Sequence, residues 1–298
     1  MDFTELFVSV DEFWVKFRPS YEKSLLGDGR RQRLRPLSLC PSEIMTLLIA
    51  FQTSHYRTFK HFYLYLLRNH RRDFPGLVSY QRFVEWIPQV TVPLFAYLIS
   101  HGLGPVTGIS FIDSTALAVC GKKRISRNRV FRGLAQVGKT TLGWFYGFKL
   151  HLVINDRGDL LAFHLTPGNV DDRQAVPAMT QRPQKLWGKL FGDKGYISQR
   201  LFETLYGQGV KLITSIRSNM SNRLQELSEK ILLRKRSLIE TVNDQLKNIC
   251  QIEHTRHRSP VNFLVHLIAG LIAYARQPKK PSLKLYPCEE SGPALLPA

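Results

Sequence analysis

Three acids in this sequence, Asp113, Asp193 and Glu240, are of a type and placement that could do chemistry together. Asp113 closes the apolar run Ile109-Ser110-Phe111-Ile112, Asp193 sits in Phe191-Gly192-Asp193-Lys194-Gly195-Tyr196, and Glu240 follows the basic cluster Arg234-Lys235-Arg236. A carboxylate at the end of an apolar strand must reach solvent, an ion or a partner, because burying it unpaired is costly. Each acid also has a plainer reading. Asp113 could cap a strand end, Asp193 could belong to a β-turn, and Glu240 could sit on a salt-bridged helix face. Taken together, carboxylates from two strand ends and a helix face form a hard, oxygen-only donor set. Such a set suits Mg²⁺ or Mn²⁺ and not zinc. Two such ions about 3.5–4 Å apart activate water or a 3′-hydroxyl and steady the leaving oxygen of an in-line phosphoryl displacement.

The elements that must hold these acids follow from periodicity. Leu224 to Ile249 reads as one long amphipathic helix. At about 100° per residue, Arg236, Glu240, Asn243 and Lys247 fall within roughly 60° of one another. Leu224, Leu227, Ile231, Leu238, Ile239, Val242, Leu246 and Ile249 take the opposite arc. Strands are predicted at 108–114, 143–155, 160–166, 186–192 and 210–216, with Asp156-Arg157-Gly158-Asp159 as a hairpin turn. Helices are predicted after Asn169-Val170-Asp171-Asp172 and over 198–207. Three antiparallel strands followed by two that join in parallel through helices is the ribonuclease H-like arrangement, an α/β fold with a five-stranded mixed sheet. It places the ends of the first and fourth strands side by side, and with them Asp113 and Asp193.

Residues 1–104 read as helical, with helices near 41–53, 58–69 and from Ser79 onward, and Ser42 as a candidate cap. Three short helices with Gln81 and Arg82 early in the third resemble a helix-turn-helix reader, and a generic bundle fits the same pattern. Gly102-Leu103-Gly104-Pro105 marks the boundary to a catalytic region over 105–276, and the Pro/Lys-containing tail 277–298 reads as disordered.

The formal charge of +19 and pI near 10.0 point to a polyanion, most simply nucleic acid. Lys122, Lys123, Arg124, Arg127, Arg129, Arg132 and Lys139 fall in one segment that contains no acid. Read as a loop after the first strand, the segment would lie beside Asp113 and contact phosphates. Gly133-x₄-Gly138-Lys139-Thr140 has P-loop spacing, but it precedes a strand instead of joining a strand to a helix. The four cysteines form no Cys-x-x-Cys pair, which argues against a zinc ribbon or a disulfide framework. The N-terminus lacks a signal-peptide layout and no run of about 18 apolar residues occurs, so a soluble intracellular protein is expected. His151 and His164 fit structural roles on strands, Asp171 and Asp172 fit helix capping, and Lys149 could touch DNA at a sheet edge.

A family resemblance rests on Phe111-Ile112-Asp113-Ser114-Thr115, Tyr146-Gly147-Phe148-Lys149-Leu150-His151, Leu165 to Asp172, Gly192-Asp193-Lys194-Gly195-Tyr196 and Arg236-Ser237-Leu238-Ile239-Glu240. By these segments the chain resembles DDE transposases of bacterial insertion sequences, specifically insertion-sequence family nine-eighty-two, over most of its length. The resemblance implies that Asp113, Asp193 and Glu240 are the catalytic acids and ligands of Mg²⁺ or Mn²⁺, as two ions. Their separations of 80 and 47 positions are plausible for that fold without a large insertion domain. Arg236, Glu240 and Lys247 match a Tyr-x₂-Arg-x₃-Glu-x₆-Lys signature, and Leu233 replaces its tyrosine. Cleavage at element ends, strand transfer into target DNA, recognition of terminal inverted repeats, pairing of ends by a dimer or larger multimer, and a cytoplasmic, nucleoid-associated location are implied. The alternative is a DNA-binding protein without chemistry, either a helix-turn-helix regulator or a decayed element.

Overall fold

A computed structural model describes residues 3–27, 36–141, 143–215, 226–253 and 257–283, so Ile216, Leu224, Cys288 and Pro293 lie outside the described residues. Among the described residues, the N-terminal region holds the α-helices α1 (Phe3–Gly27), α2 (Pro41–Thr53), α3 (Phe59–Asn69), α4 (Tyr80–Trp86) and α5 (Thr91–Tyr97). The α2 helix is capped by Cys40, one residue-pair earlier than expected, through a capping box with Glu43. Ser42 instead donates to Asp11 on α1 at 2.6 Å and is buried. The run Tyr80–Gly102 is long and apolar enough by composition to cross a bilayer, yet Phe83, Trp86, Ile87, Val90, Leu94, Tyr97 and Leu98 are buried within the protein.

Next come β1 (Ile109–Cys120), β2 (Gln136–Thr140), β3 (Gly143–Asn155), β4 (Leu160–Pro167), α6 (Asp172–Met179), β5 (Gly188–Gly192), α7 (Gln199–Gly207) and β6 (Val210–Thr214). Three helices follow, α8 (Leu227–Arg234), α9 (Ser237–Asn248) and α10 (Pro260–Ala275). The β3 strand pairs antiparallel with β1 on one side and with β2 and β4 on the other. The β5 strand joins β1 in parallel, and β6 joins β5 in parallel. The mixed sheet with flanking helices is therefore present, enlarged from five strands to six by β2, which falls within the segment expected to be a basic loop.

The two sheet faces bury different partners. Phe111, Leu117, Leu150, Leu152 and Ile154 face α9, α10 and the N-terminal helices in one continuous core. Ile112, Val153, Leu161 and Ala162 face α6 and α7 in a second core. The α10 helix is apolar nearly all round, with Val265, Leu267, Ile268, Leu271, Ile272 and Tyr274 buried, as a helix enclosed by neighbours must be. It packs against both α2 and the α4–α5 run, so sheet and N-terminal helices share that core.

Three expectations need correction. The helix expected over 224–249 is two helices, separated by a tight turn at Lys235-Arg236. The break turns α8 so that Glu229 is buried, bonded by Lys211 at 2.6 Å and Lys189 at 3.0 Å, while Leu227 and Ile231 face outward. The apolar arc therefore survives only on α9, in Leu238, Ile239, Val242 and Leu246. Next, β1 does not stop after Asp113. Its pairing with β3 continues to Cys120, so Asp113 stands in mid-strand, at the point where β5 ends and β1 runs on. Finally, the tail is anchored at its start. Lys280 bonds Asp159 at 2.7 Å and the Leu283 N–H donates to the Asp156 carbonyl, in the β3–β4 turn. That turn holds Gly158 at a φ of +76°, where a Cβ would meet the Pro281 carbonyl oxygen at 2.1 Å.

Candidate active site

The β1–β5 register pairs Phe111 with Phe191, and both aspartates stand two residues further on. Alternation along a strand therefore sends Asp113 to the face covered by α9, and Asp193 follows directly on the end of β5, near enough for its charge to act on Asp113. Asp193 is fixed by its own loop, accepting the Gly195 N–H at 2.8 Å. Asp113 is held from above: Asn243 of α9, buried, donates to its Oδ2 at 3.0 Å. The turn that opens α9 places Arg236 at the helix entry and Glu240 in the first turn. The Arg236 guanidinium bonds the Glu240 Oε1 at 2.5 Å and lies 3.8 Å from the Asp113 Oδ1.

Electrostatically the three acids form one group. Burial pushes the Asp113 carboxyl up to about 6, Asp193 and Glu240 add to that rise, and Arg236 and the Ser114 backbone N–H oppose it. The side chain is 21 % exposed, against 54 % for Glu240. Among the described residues no three acids, histidines or cysteines converge tightly enough to grip a metal ion. The Arg236 guanidinium lies between Glu240 and Asp113. The donor chemistry fits a hard divalent cation, because carboxylate oxygens are its ligands and a positive group already sits among them.

One consequence is measurable in the metal-free protein. An acid with a folded pKa above its unfolded value of 3.8 stabilises the fold only while protonated, so stability falls as pH rises from about 4 through 6. Asp113→Asn in chelator should therefore be more stable than wild type above pH 7, by on the order of 2 kcal/mol. The gap should close as pH falls towards 4. Urea melts across this range check it, and equal stability at pH 8 would refute the burial argument.

The other expected site residues lie elsewhere. Lys122, Lys123, Arg124, Arg127, Arg129, Arg132 and Lys139 are all exposed, and among the described residues none has a carboxylate partner. Buried Phe131 pins the segment against Phe148 and Phe263. The segment is not beside Asp113, as expected of a short first strand. It begins past Cys120, about 23 Å along β1 from the acid at ~3.3 Å per residue. Lys139 lies on β2 with Gly138 and Thr140, so the P-loop spacing here is strand and not a phosphate loop. Arg82 bonds Glu85 at 2.8 Å and lies over Trp86. Lys247 bonds Glu253 at 3.0 Å, and Glu253 accepts the Ala118 N–H, so this lysine fastens the chain after α9 to β1.

His151 faces away from the acids, since its neighbour Leu152 is the residue paired with Asp113. It bonds Thr166 at 2.8 Å, and burial lowers its pKa to about 4, which keeps it neutral. Lys149 is committed to Asp172 and the Val170 carbonyl, both at 2.9 Å. Asp171 caps α6, with its pKa lowered to about 2 by Arg173. Asn243 and Trp144, which is 57 % exposed on β3, were not singled out by sequence. Asn243 carried a signal in its place on the Glu240 face of the helix. Trp144, within an apolar run, carried none.

The chain can now be set beside known proteins. None of the curated proteins matches it. Among solved structures it is similar to the piggyBac transposase in a synaptic complex with hairpin DNA, at 10 % identity and a TM-score of 0.46, covering 91 % of this chain and 72 % of that one. A family model described as the transposase DDE domain matches residues 103–260, a span of more than half the chain that runs from the entry to β1 into the start of α10 and contains Asp113, Asp193 and Glu240. This protein belongs to the transposase DDE domain family.

Proposed function

We propose that the protein is a DNA transposase of the insertion-sequence type, resembling family nine-eighty-two, that cuts the ends of its element and joins them to target DNA. The observation carrying this reading is the shared register of Asp113 and Asp193 along adjacent strands, with Glu240 of α9 near enough for its charge to act on Asp113. These three carboxylates would hold Mg²⁺ or Mn²⁺, as two ions, and the ions when bound supply an activated water or 3′-hydroxyl and charge relief at the leaving oxygen. Asn243 orients Asp113, the Gly195 N–H orients Asp193, and Arg236 aims Glu240. The α9 apolar side presses the helix onto the sheet and fixes all of these relations. A bacterial, cytoplasmic location, the inverted repeats as binding sites of the N-terminal helices, and a dimer pairing two ends belong to the same proposal.

The unpaired basic segment from Lys122 to Lys139 supports DNA as the partner, because uncompensated cations on a surface release counterions when they meet phosphates. Changing Lys122, Lys123 and Arg124 together to Ala should lower the slope of log affinity against log salt by about 3, near 0.9 per phosphate contact. An unchanged slope would place the DNA elsewhere. The catalytic reading is tested with purified protein, Mg²⁺ or Mn²⁺, and a supercoiled plasmid carrying the DNA that flanks this reading frame. Nicked and then joined products are expected. Binding without either product favours the DNA-binding protein that does no chemistry, a reading the Arg236 bridge across two acids also suits. Cleavage without joining would make the protein a nuclease.

A further inference from the structure

Where β2 and β4 meet end to end along β3, a groove of about 480 Å³ opens between Lys139 and Trp144 on one side and Gly195 on the other. Its volume lies within the ~300–1,000 Å³ usual for small-ligand pockets. Trp144 stands directly opposite Lys139 in the β2–β3 register, and the ammonium lies 5.5 Å from the centre of the indole ring. An indole that is 57 % exposed gains little from folding, so packing does not account for its place here. The floor is backbone. A Cβ at Gly138 would lie 2.2 Å from the Gly168 carbonyl oxygen, and one at Gly168 would lie 2.7 Å from that of Gln136, so only glycines let β2 approach β4 so closely.

Charge in the groove is selective. Asp172 is neutralised by Lys149 and Asp171 by Arg173, which leaves the Lys139 ammonium without a carboxylate partner among the described residues. An exposed indole beside an available cation is a stacking platform with a phosphate contact, the pair of features that holds single-stranded nucleic acid. The far end of the groove reaches Gly195, whose N–H bonds the Asp193 carboxylate at 2.8 Å.

We propose that this groove holds an unpaired nucleotide of the DNA strand, its base stacked on Trp144 and its phosphate on Lys139, a few nucleotides along the strand from the phosphodiester presented to Asp193. The location near the cut rests on the catalytic reading above, whereas the binding itself does not. Unpairing a base in this groove moves the strand out of the duplex on the acid side, which suits a site whose chemistry acts on one strand at a time.

The test uses the full chain in chelator, so that no cleavage occurs. A short blunt duplex is compared with the same duplex extended by a single-stranded 3′ overhang carrying 2-aminopurine. Wild type should bind the overhang duplex about tenfold more tightly than the blunt one and quench the 2-aminopurine. Trp144→Ala should lose the preference and the quenching while binding blunt duplex within about twofold of wild type, and Trp144→Phe should keep most of both. Absence of a preference in wild type, or equal weakening of both duplexes by Trp144→Ala, overturns the proposal. Thermal melting of each variant confirms folding, which an exposed side chain should leave unchanged. Asp193→Asn should still quench. Quenching by a wild-type protein that nicks no plasmid would therefore sink the catalytic reading and leave the groove assignment standing.

Discussion

Asp193→Asn protein should lose metal-dependent nicking by on the order of 1,000-fold or more and bind DNA within about twofold of wild type. Asparagine keeps the size of the side chain, and its carbonyl oxygen can still accept the Gly195 N–H, so the loop geometry survives. What is lost is the negative charge that a divalent cation requires from its ligand. Asp113→Asn should behave alike, because Asn243 can donate to an amide oxygen as it does to the carboxylate. Glu240→Gln should do so too, with Arg236 still within reach of the amide oxygen. Nicking assays with matched gel-shift titrations read both quantities. Retained cleavage by purified Asp193→Asn protein would remove Asp193 from the site.

Leu271→Ala should cost about 2–5 kcal/mol, because Leu271 is fully buried on the helix shared by the sheet and the N-terminal helices. The more telling outcome is where the loss is felt. Trp14 and Trp86 report on the helical region, and Trp144 and Trp187 on the sheet. Single-tryptophan variants should unfold at one common urea midpoint, and Leu271→Ala should shift all of them together. Separate midpoints for the two regions would contradict a shared core. By the same argument a fragment starting at residue 103 should aggregate, since it strips the α2 and α4–α5 cover from α10 and exposes a continuous apolar surface.

Much of the sheet was legible because its strands alternate or run apolar between turn residues, and because Asp113 and Asp193 interrupt those runs with charge. The β2 strand was not, since Gln136-Val137-Gly138-Lys139-Thr140 has one apolar side chain and a P-loop spacing that competed for its meaning. The break before α9 was invisible for a different reason. No glycine or proline marks Lys235-Arg236, and helical periodicity runs straight through it. On α8, Glu229 is tied to Lys189 and Lys211 on neighbouring strands, contacts between distant parts of the chain that helical periodicity does not register. Seven bases near one acid in sequence were read as near it in space, and the extra length of β1 separates them. Asn243 lay on the predicted polar face with Glu240, but only the packing of α9 over β1 shows that it serves Asp113.

The guanidinium of Arg236 has a thermodynamic consequence. It already neutralises part of the charge that a divalent cation would neutralise, so cation and guanidinium compete for the same oxygens. A DNA phosphate offers the displaced guanidinium a new partner, with geometry that favours arginine. Under the proposed function, ion binding and DNA binding would reinforce one another, and by reciprocity each would strengthen the other by the same factor. On that same proposal, the ions would be held weakly until DNA arrives, and the capacity to cut would be assembled on the substrate.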